Sequence, residues 1–364
     1  MKYRATARID LDVIRGNYNY INSVTSGRIM AVVKADAYGH GAARIANELS
    51  ALGCEDFAVA CLSEAQALRE SGISGRILIL APTDVSLATE IIDGDFIQAA
   101  DSLEYAKALD SKGKIHIHIK VDTGMSRIGI YCHSSEDIVR SADEIEAISK
   151  LPNIVIDGIF THFADSDSYD KAYTQQQFSV FSELLDELKK RNIDVGTRHC
   201  CNSAATLNYP EMHLDMVRAG IILYGLAPSE YCKNGNISPA MKLSARVCAV
   251  HQLKKGDCVS YGCTYKAEKD TRVAVISIGY ADGFSRVYSG KELIRINGKS
   301  FSTVGKICMD MCMVEVGLDF PCKVGDEAII FENAEDIDKL AKAMGTINYE
   351  ILCSLKHRVL LEYK

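Results

Sequence analysis

Lys34 has the sharpest chemical potential of any residue in the 364-residue chain. It follows the apolar run Ile29-Met30-Ala31-Val32-Val33, so its amine is expected at the mouth of a desolvating core. Burial penalises the ammonium form, lowers the lysine pKa and yields a nucleophilic amine near neutral pH. Schiff-base chemistry with an aldehyde cofactor or a carbonyl substrate requires such an amine. A lysine at a strand end also commonly snorkels to solvent, and Lys34 taken alone suits either fate. Other polar residues fall just beyond apolar runs in the same way: Lys120, Asp122 and Arg127, then His162, then Asn202 and Ser203, then Arg218 and Gly220. Each by itself reads as a solvated rim residue. Five strand ends furnished alike read as a site.

A second chemistry fits one cluster. His116-Ile-His118-Ile-Lys120 puts three potential ligands on one face of a strand, because side chains alternate. With His162 and His199 it admits a metal-dependent barrel hydrolase with a bridging carbamylated lysine. No aspartate closes the last strand, and the HxH pair sits on the fifth strand. Both features count against that alternative.

The elements that must carry these residues show in the apolar pattern. Short β-branched runs at 29–33, 57–60, 76–80, 96–99, 115–121, 154–161, 197–201 and 216–217 alternate with helical stretches such as 42–52 and 174–191. In the latter, Phe178, Phe181, Leu184, Leu185 and Leu188 recur at helical spacing. Eight strand–helix repeats without a hairpin signal predict an α/β fold with a parallel (β/α)₈ TIM-like barrel. Its chemistry would sit at the C-terminal strand ends. An open doubly wound sheet would want a glycine-rich phosphate turn after an early strand, and no GxGxxG or Walker pattern follows any of them.

The texture changes after Leu226-Ala227-Pro228. From Met241 onward alternation at period two dominates, and Asn297-Gly298 between 293–296 and 300–303 is a hairpin signal. Lys254-Lys255-Gly256-Asp257 and Lys323-Val324-Gly325-Asp326 read as further turns, and one helix is expected near 336–344. The expected division is a barrel over 10–228 that binds the cofactor, and a mostly β domain from 1–9 and 229–364. Two domains also suit the length.

Bulk properties exclude several classes. The net charge of −7 gives no reason to expect nucleic acid or an anionic membrane surface as partner. Apolar runs such as 273–281 are too short to span a bilayer, and the opening Lys2-Tyr3-Arg4-Ala5-Thr6 does not read as a secretory leader. The 13 cysteines are odd in number and form no CxxC pair, while Cys200 and Cys201 are adjacent. That usage suits a reducing compartment, with the cytoplasm as the default.

Residues 31–41, Ala-Val-Val-Lys-Ala-Asp-Ala-Tyr-Gly-His-Gly, resemble the cofactor-attachment motif of the alanine racemase family. Further blocks resemble that family in the same order: Lys120 to Arg127, Phe160 to Phe163, Asn202 to Ala204, Arg218 to Ile221, Tyr261 to Tyr265, Gly279 to Gly283, Val304 to Asp310 and Asn348 to Glu350. The resemblance implies a (β/α)₈ barrel with a β-rich C-terminal domain. It also implies pyridoxal 5'-phosphate as cofactor, and racemisation of L- and D-alanine supplying D-alanine for peptidoglycan. A serine or broad-specificity racemase is the alternative, since an apolar pocket rejects an added hydroxyl only weakly. A non-catalytic carrier would lack the β domain and Tyr265. A decarboxylase would want a C-terminal catalytic cysteine; Cys308 and Cys312 leave that open, whereas Tyr265 and Met309 speak against it.

By the same resemblance Lys34 carries the cofactor and serves as base on one face of the substrate. Tyr265, from the partner subunit of a homodimer, serves on the other. A tyrosine of ordinary pKa, about 10, needs a cationic network to ionise, and the family pattern implies His162 beside Tyr265 with Arg218 behind it. Arg218 would face the pyridine nitrogen. Tyr38, Ser203, Gly220, Ile221 and Tyr349 match phosphate ligands, and Arg127 a residue near the substrate carboxylate. Lys120 matches a lysine often carbamylated in the family, which would become an anion able to hold Arg127. Tyr280, Met309 and Asp310 map to the access and carboxylate side, again from the second subunit. Three departures stand out: His357-Arg358-Val359-Leu360-Leu361 at the tail, Ser126 in place of a common glycine, and Cys200-Cys201 before Asn202.

Overall fold

The computed structural model describes residues 5–232 and 235–364. After a first strand β1 (Ala5–Ile9), eight strands follow with helices between them: β2 (Arg28–Val32), β3 (Asp56–Val59), β4 (Arg76–Ile79), β5 (Ile97–Ala100), β6 (Ile115–Asp122), β7 (Ile154–Phe160), β8 (Thr197–His199) and β9 (Met216–Ala219). Each pairs in parallel with its neighbour, and β9 returns to pair with β2, Arg218 opposite Met30. The barrel is therefore closed, and the helix-bearing alternation read from the sequence has its reason. A parallel strand buried on both faces needs apolar residues outward against helices, and β6 supplies Ile115, Ile117, Ile119 and Val121, all fully buried. The intervening His118 and Lys120 then face the other way and are buried too.

Strand ends differ from expectation where a side chain is needed in the site. The expected 197–201 strand stops at His199 because the chain turns there. Adjacent residues of an extended strand diverge, yet the Sγ atoms of Cys200 and Cys201 both reach Met212 O, at 3.1 and 3.2 Å. Strand β9 instead runs on to Ala219, so Arg218 is part of it.

The rest is built on the 13-residue strand β10 (Met241–Leu253). It pairs antiparallel with β1, with β11 (Thr271–Ile276) and, after β12 (Glu292–Ile296), β13 (Lys299–Ser302) and β14 (Cys312–Glu315), with β15 (Glu327–Phe331). Strand β1 also pairs in parallel with β16 (Leu360–Tyr363), so Ala5–Ile9 belongs to this sheet rather than to the barrel. Residues 1–4 and 233–234, which fall in the expected β-rich division, lie outside the described residues. Asn297 and Gly298 form the two-residue β12–β13 turn with φ of 47° and 79°, the left-handed pair that matches strand twist. Two helices close the unit, Ala334–Met344 and Asn348–Cys353. The sequence reading missed the second, because six residues are too few for a helical period to emerge. Its Leu352 carbonyl packs on Gly39, where a Cβ would come within 2.5 Å, and this carries Tyr349 to the barrel mouth. One apolar core runs from the barrel into the β-rich unit. Among the described residues no helix is long and apolar enough to cross a membrane.

Candidate active site

Immediately after β2 the backbone turns left-handed. Ala35, Asp36, Ala37 and Tyr38 have φ of 52° or 53°, and Gly39 follows at 80°. A left-handed conformation costs a non-glycine residue roughly 1–2 kcal/mol, so this turn must be held from outside. Glu64 does part of that: its Oε1 accepts from Ala35 N at 2.7 Å and its Oε2 from Ala60 N at 2.8 Å. The Asp36 carboxylate accepts from Ala42 N at 2.7 Å. The outcome places Lys34 and Tyr38 on the wall of one cavity of about 720 Å³ at the C-terminal ends of the barrel strands.

Five basic side chains line that cavity: Lys34, Lys120, Arg127, His162 and Arg218. Among the described residues Glu350 is the single carboxylate on its wall. Burial first, then the charge of Arg127, lowers the Lys34 pKa, as an amine nucleophile requires. Lys120 is buried under the same field, and burial followed by Arg218 pushes its pKa down to about 7. Its ammonium donates to Val121 O at 2.5 Å and lies 5.5 Å from the Phe160 ring.

Arg218 is fully enclosed without a carboxylate partner among the described residues, and burial lowers its pKa to about 10. Its Nη2 donates to Thr161 O at 2.8 Å, Cys200 O at 3.1 Å and His162 Nδ1 at 3.1 Å, and its Nη1 to His199 Nδ1 at 3.0 Å. A guanidinium only donates, so both histidines must accept at Nδ1 and carry their proton on Nε2. The relay continues from His199 Nε2 to His118 Nδ1 at 2.9 Å. Burial, then the Arg218 charge, holds His162 and His199 far below the usual histidine range, and His118 falls to about 3. All three are neutral at pH 7.

At the other side of the cavity Gly220 N donates to Ser203 Oγ at 2.9 Å, and Tyr38 and Tyr349 set their rings 6.0 Å apart. A Cβ on Gly220 would stand 2.7 Å from the Tyr38 hydroxyl and 3.4 Å from Ser203 Oγ, so only glycine leaves this cradle open. Ile221 is buried and begins the short turn that follows. Hydroxyls, open backbone and nearby cations suit a phosphate group, and the buried amine suits its aldehyde. These residues fit pyridoxal 5'-phosphate.

The HxHxK strand does not converge on a metal. His116 Nδ1 bonds Asp157 at 2.7 Å, His118 joins the relay, and no group of three or more histidine, cysteine, aspartate or glutamate side chains among the described residues could hold an ion.

Four expected site residues stay apart from the Lys34 cavity within one chain. Tyr265 donates its hydroxyl to Glu315 Oε2 at 2.6 Å, and burial, then that carboxylate, raises its pKa. Tyr280 and Met309 are exposed on neighbouring segments tied by Ala281 N to Met309 O at 3.0 Å. Asp310 accepts from Arg358 Nη2 at 2.7 Å, so Arg358, in the departing tail, anchors it. Ser126 adopts φ 56° while its N–H donates to the Asp122 carboxylate, a backbone conformation that a glycine would adopt without strain. Reading the sequence missed Thr346, Ile347, Glu350 and Cys353 on the cavity wall. It also missed Glu64 beneath the lysine turn.

Comparison with known proteins gives one family across the chain. The family profile described as alanine racemase, N-terminal domain, matches residues 9–228, and the one described as alanine racemase, C-terminal domain, matches 240–363. An alanine racemase of Clostridium perfringens (strain SM101 / Type A) is 43% identical over 370 residues, covering 98% of this chain and 95% of its own. The solved alanine racemase of Clostridium difficile 630 superposes with a TM-score of 0.94 at 37% identity, covering 100% of this chain and 96% of that one. Its complex with cycloserine gives 0.92 at 36% identity over 100% and 96%.

Proposed function

The chain belongs to the alanine racemase family, isomerases acting on an amino acid, and from that premise we propose that it interconverts L- and D-alanine with pyridoxal 5'-phosphate bound through Lys34. The observation that carries this is the buried Lys34 amine, with its lowered pKa, in a cation-lined cavity that ends in an open Tyr38–Ser203–Gly220 cradle. The cofactor supplies an electron sink that makes the substrate α-proton removable.

The chain's residues do the rest. Tyr38, Ser203, Tyr349 and the backbone at Gly220 and Ile221 hold the phosphate. Arg218 is donor-only, so it would not hold a proton on a bound cofactor's ring nitrogen as a carboxylate would; the sink supplied there would be moderate, favouring reprotonation over transamination. Lys34 moves the proton on one face of the substrate α-carbon. Tyr265 of the partner subunit moves it on the other. Within one chain Tyr265 rests on Glu315 with a raised pKa, whereas beside the Lys34 cavity it would meet the Arg218 charge and a His162 ring whose Nε2–H can donate to a phenolate. The reading therefore requires a homodimer, with Tyr280, Met309 and Asp310 of the β-rich unit facing the partner's site and Arg127 holding the substrate carboxylate. Lys120, with a pKa of about 7, offers enough neutral amine to add carbon dioxide, and the resulting carbamate would hold Arg127.

The functional division is 10–228 for cofactor binding, with 1–9 and 229–364 completing the partner's site. The cellular role is D-alanine supply for peptidoglycan in the cytoplasm. Cycloserine bound to the Clostridium difficile relative supports a pocket for a small amino-acid analogue. Serine is the competing substrate, and equal specificity constants for L-serine and L-alanine would reject the narrower assignment. The direct test is the absorbance of purified protein supplied with pyridoxal 5'-phosphate, followed by optical rotation with L-alanine. A colourless protein inert toward both enantiomers would defeat the proposal.

A further inference from the structure

We infer that His40 is the positioning residue that keeps the Lys34 turn left-handed, through one imidazole N–H shared between the carbonyls of Ala37 and Tyr38. His40 Nδ1 lies 3.1 Å from Ala37 O and 3.0 Å from Tyr38 O. Carbonyls only accept, so Nδ1 carries the hydrogen. The ring is fully buried, and its Nε2 has no hydrogen-bond partner among the described residues. A second N–H there would be buried unsatisfied, so only the neutral Nδ1–H tautomer fits, and burial lowers the histidine pKa to about 4.

His40 is itself fixed from three sides, two through its backbone and one through its ring. Its own backbone N–H donates to Ala37 O at 3.1 Å. Its carbonyl accepts from the Tyr363 hydroxyl of β16 at 3.0 Å. Its ring lies 4.6 Å from that of Tyr224, whose hydroxyl bonds Val32 O at 2.9 Å, at the end of the strand leading to Lys34. The donor is thus held by the same strand whose exit it controls. No residue from Ala35 to Tyr38 is glycine, so the left-handed path carries a backbone cost that contacts must offset. Glu64 holds the beginning of the turn at Ala35, and His40 holds its end. Without that end the Tyr38 hydroxyl and the Lys34 amine lose their shared cavity wall.

This rests on Lys34 as the cofactor lysine, and hydrogen exchange tests it independently of cofactor. In the cofactor-free protein, His40→Leu keeps an apolar side chain and removes the donor, whereas His40→Asn restores an N–H near the Nδ1 position. The expected result is amide exchange over residues 35–41 faster by roughly fivefold to tenfold in His40→Leu, with the barrel strands unchanged and His40→Asn near wild type. Retention of pyridoxal 5'-phosphate should weaken in the same order. His40→Leu matching wild type in both readouts, or His40→Asn as damaging as His40→Leu, overturns the inference. Should His40→Leu fail to fold, Tyr363→Phe removes the hydroxyl on the His40 carbonyl and should speed the same amides by a smaller factor; no change there also overturns it. A wild-type protein that never retains the cofactor sinks the functional reading, while the exchange comparison still decides the role of His40.

Discussion

The barrel mouth and the Tyr265 edge of the β-rich unit are built with opposite electrostatics. At the mouth, Lys34, Lys120, Arg127 and Arg218 share one cavity, and the first, second and fourth have pKa values lowered by burial. At the edge, Tyr265 rests on Glu315, and Asp310 is tied to Arg358. The first region has amines pushed toward neutrality and lacks a phenolate. The second has a phenol pushed away from ionisation beside a carboxylate, and its cation Arg358 is already paired with Asp310. Only the Tyr265 half of the proposed two-base site is wrongly tuned alone, and on that proposal the Arg218 charge at the mouth would offset the Glu315 carboxylate through ordinary Coulomb attraction.

That contrast can be broken in several places. Lys34→Ala should have the largest effect, removing cofactor linkage and racemisation together, a loss on the order of 10⁴-fold in turnover. Retention of colour and of activity within tenfold of wild type would show that the mouth is not the seat of the chemistry. Tyr265→Phe comes next and should act on one face only. Solvent deuterium exchange into one enantiomer should fall by roughly 10²- to 10⁴-fold, far more than into the other. Equal modest losses would reject the two-face assignment. Glu315→Gln sharpens the comparison, since it deletes the charge that holds Tyr265 protonated. The tyrosine titration, followed by ultraviolet difference absorbance, should shift to lower pH; a shift upward would contradict the account.

The smallest effect concerns stability and pH. His40, His118, His162 and His199 are buried neutral, with folded pKa values below the unfolded value of about 6.5. The unfolded chain takes up protons that the folded one refuses, so their contribution is intact above pH 6.5. It declines from there as pH falls, down to about 4 for His40 and about 3 for His118, where the folded rings take up their own protons. Thermal unfolding should therefore lose several degrees between pH 7 and 5, above the range where carboxylates titrate. A flat midpoint over that interval would rule out the neutral relay behind Arg218.

Much of this was readable in the sequence, and the remainder was not for identifiable reasons. The strand carrying Ile115, Ile117 and Ile119 announced itself by alternation, and Asn297-Gly298 by the left-handed turn that only such residues favour. Lys34 stood out because a charge ends an apolar run. The left-handed path after it gave no sign, because Ala-Asp-Ala-Tyr has no glycine to mark a positive φ. The His118–His199–Arg218 relay joins residues 81 and 19 apart in sequence, a distance that no local pattern can span. Glu315 escaped notice because a carboxylate beside a proposed tyrosine base runs against the chemistry the motif suggests. Its meaning rests on the proposed second chain.

Subunit complementation tests that dependence most directly. Lys34→Ala and Tyr265→Phe chains, each nearly inactive alone, are mixed, dissociated and reassembled. If the two bases come from different chains, random assortment makes half of the dimers mixed, each with one intact site, and activity should return to about a quarter of wild type. No recovery in verified mixed dimers would mean that Lys34 and Tyr265 do not meet across the subunits.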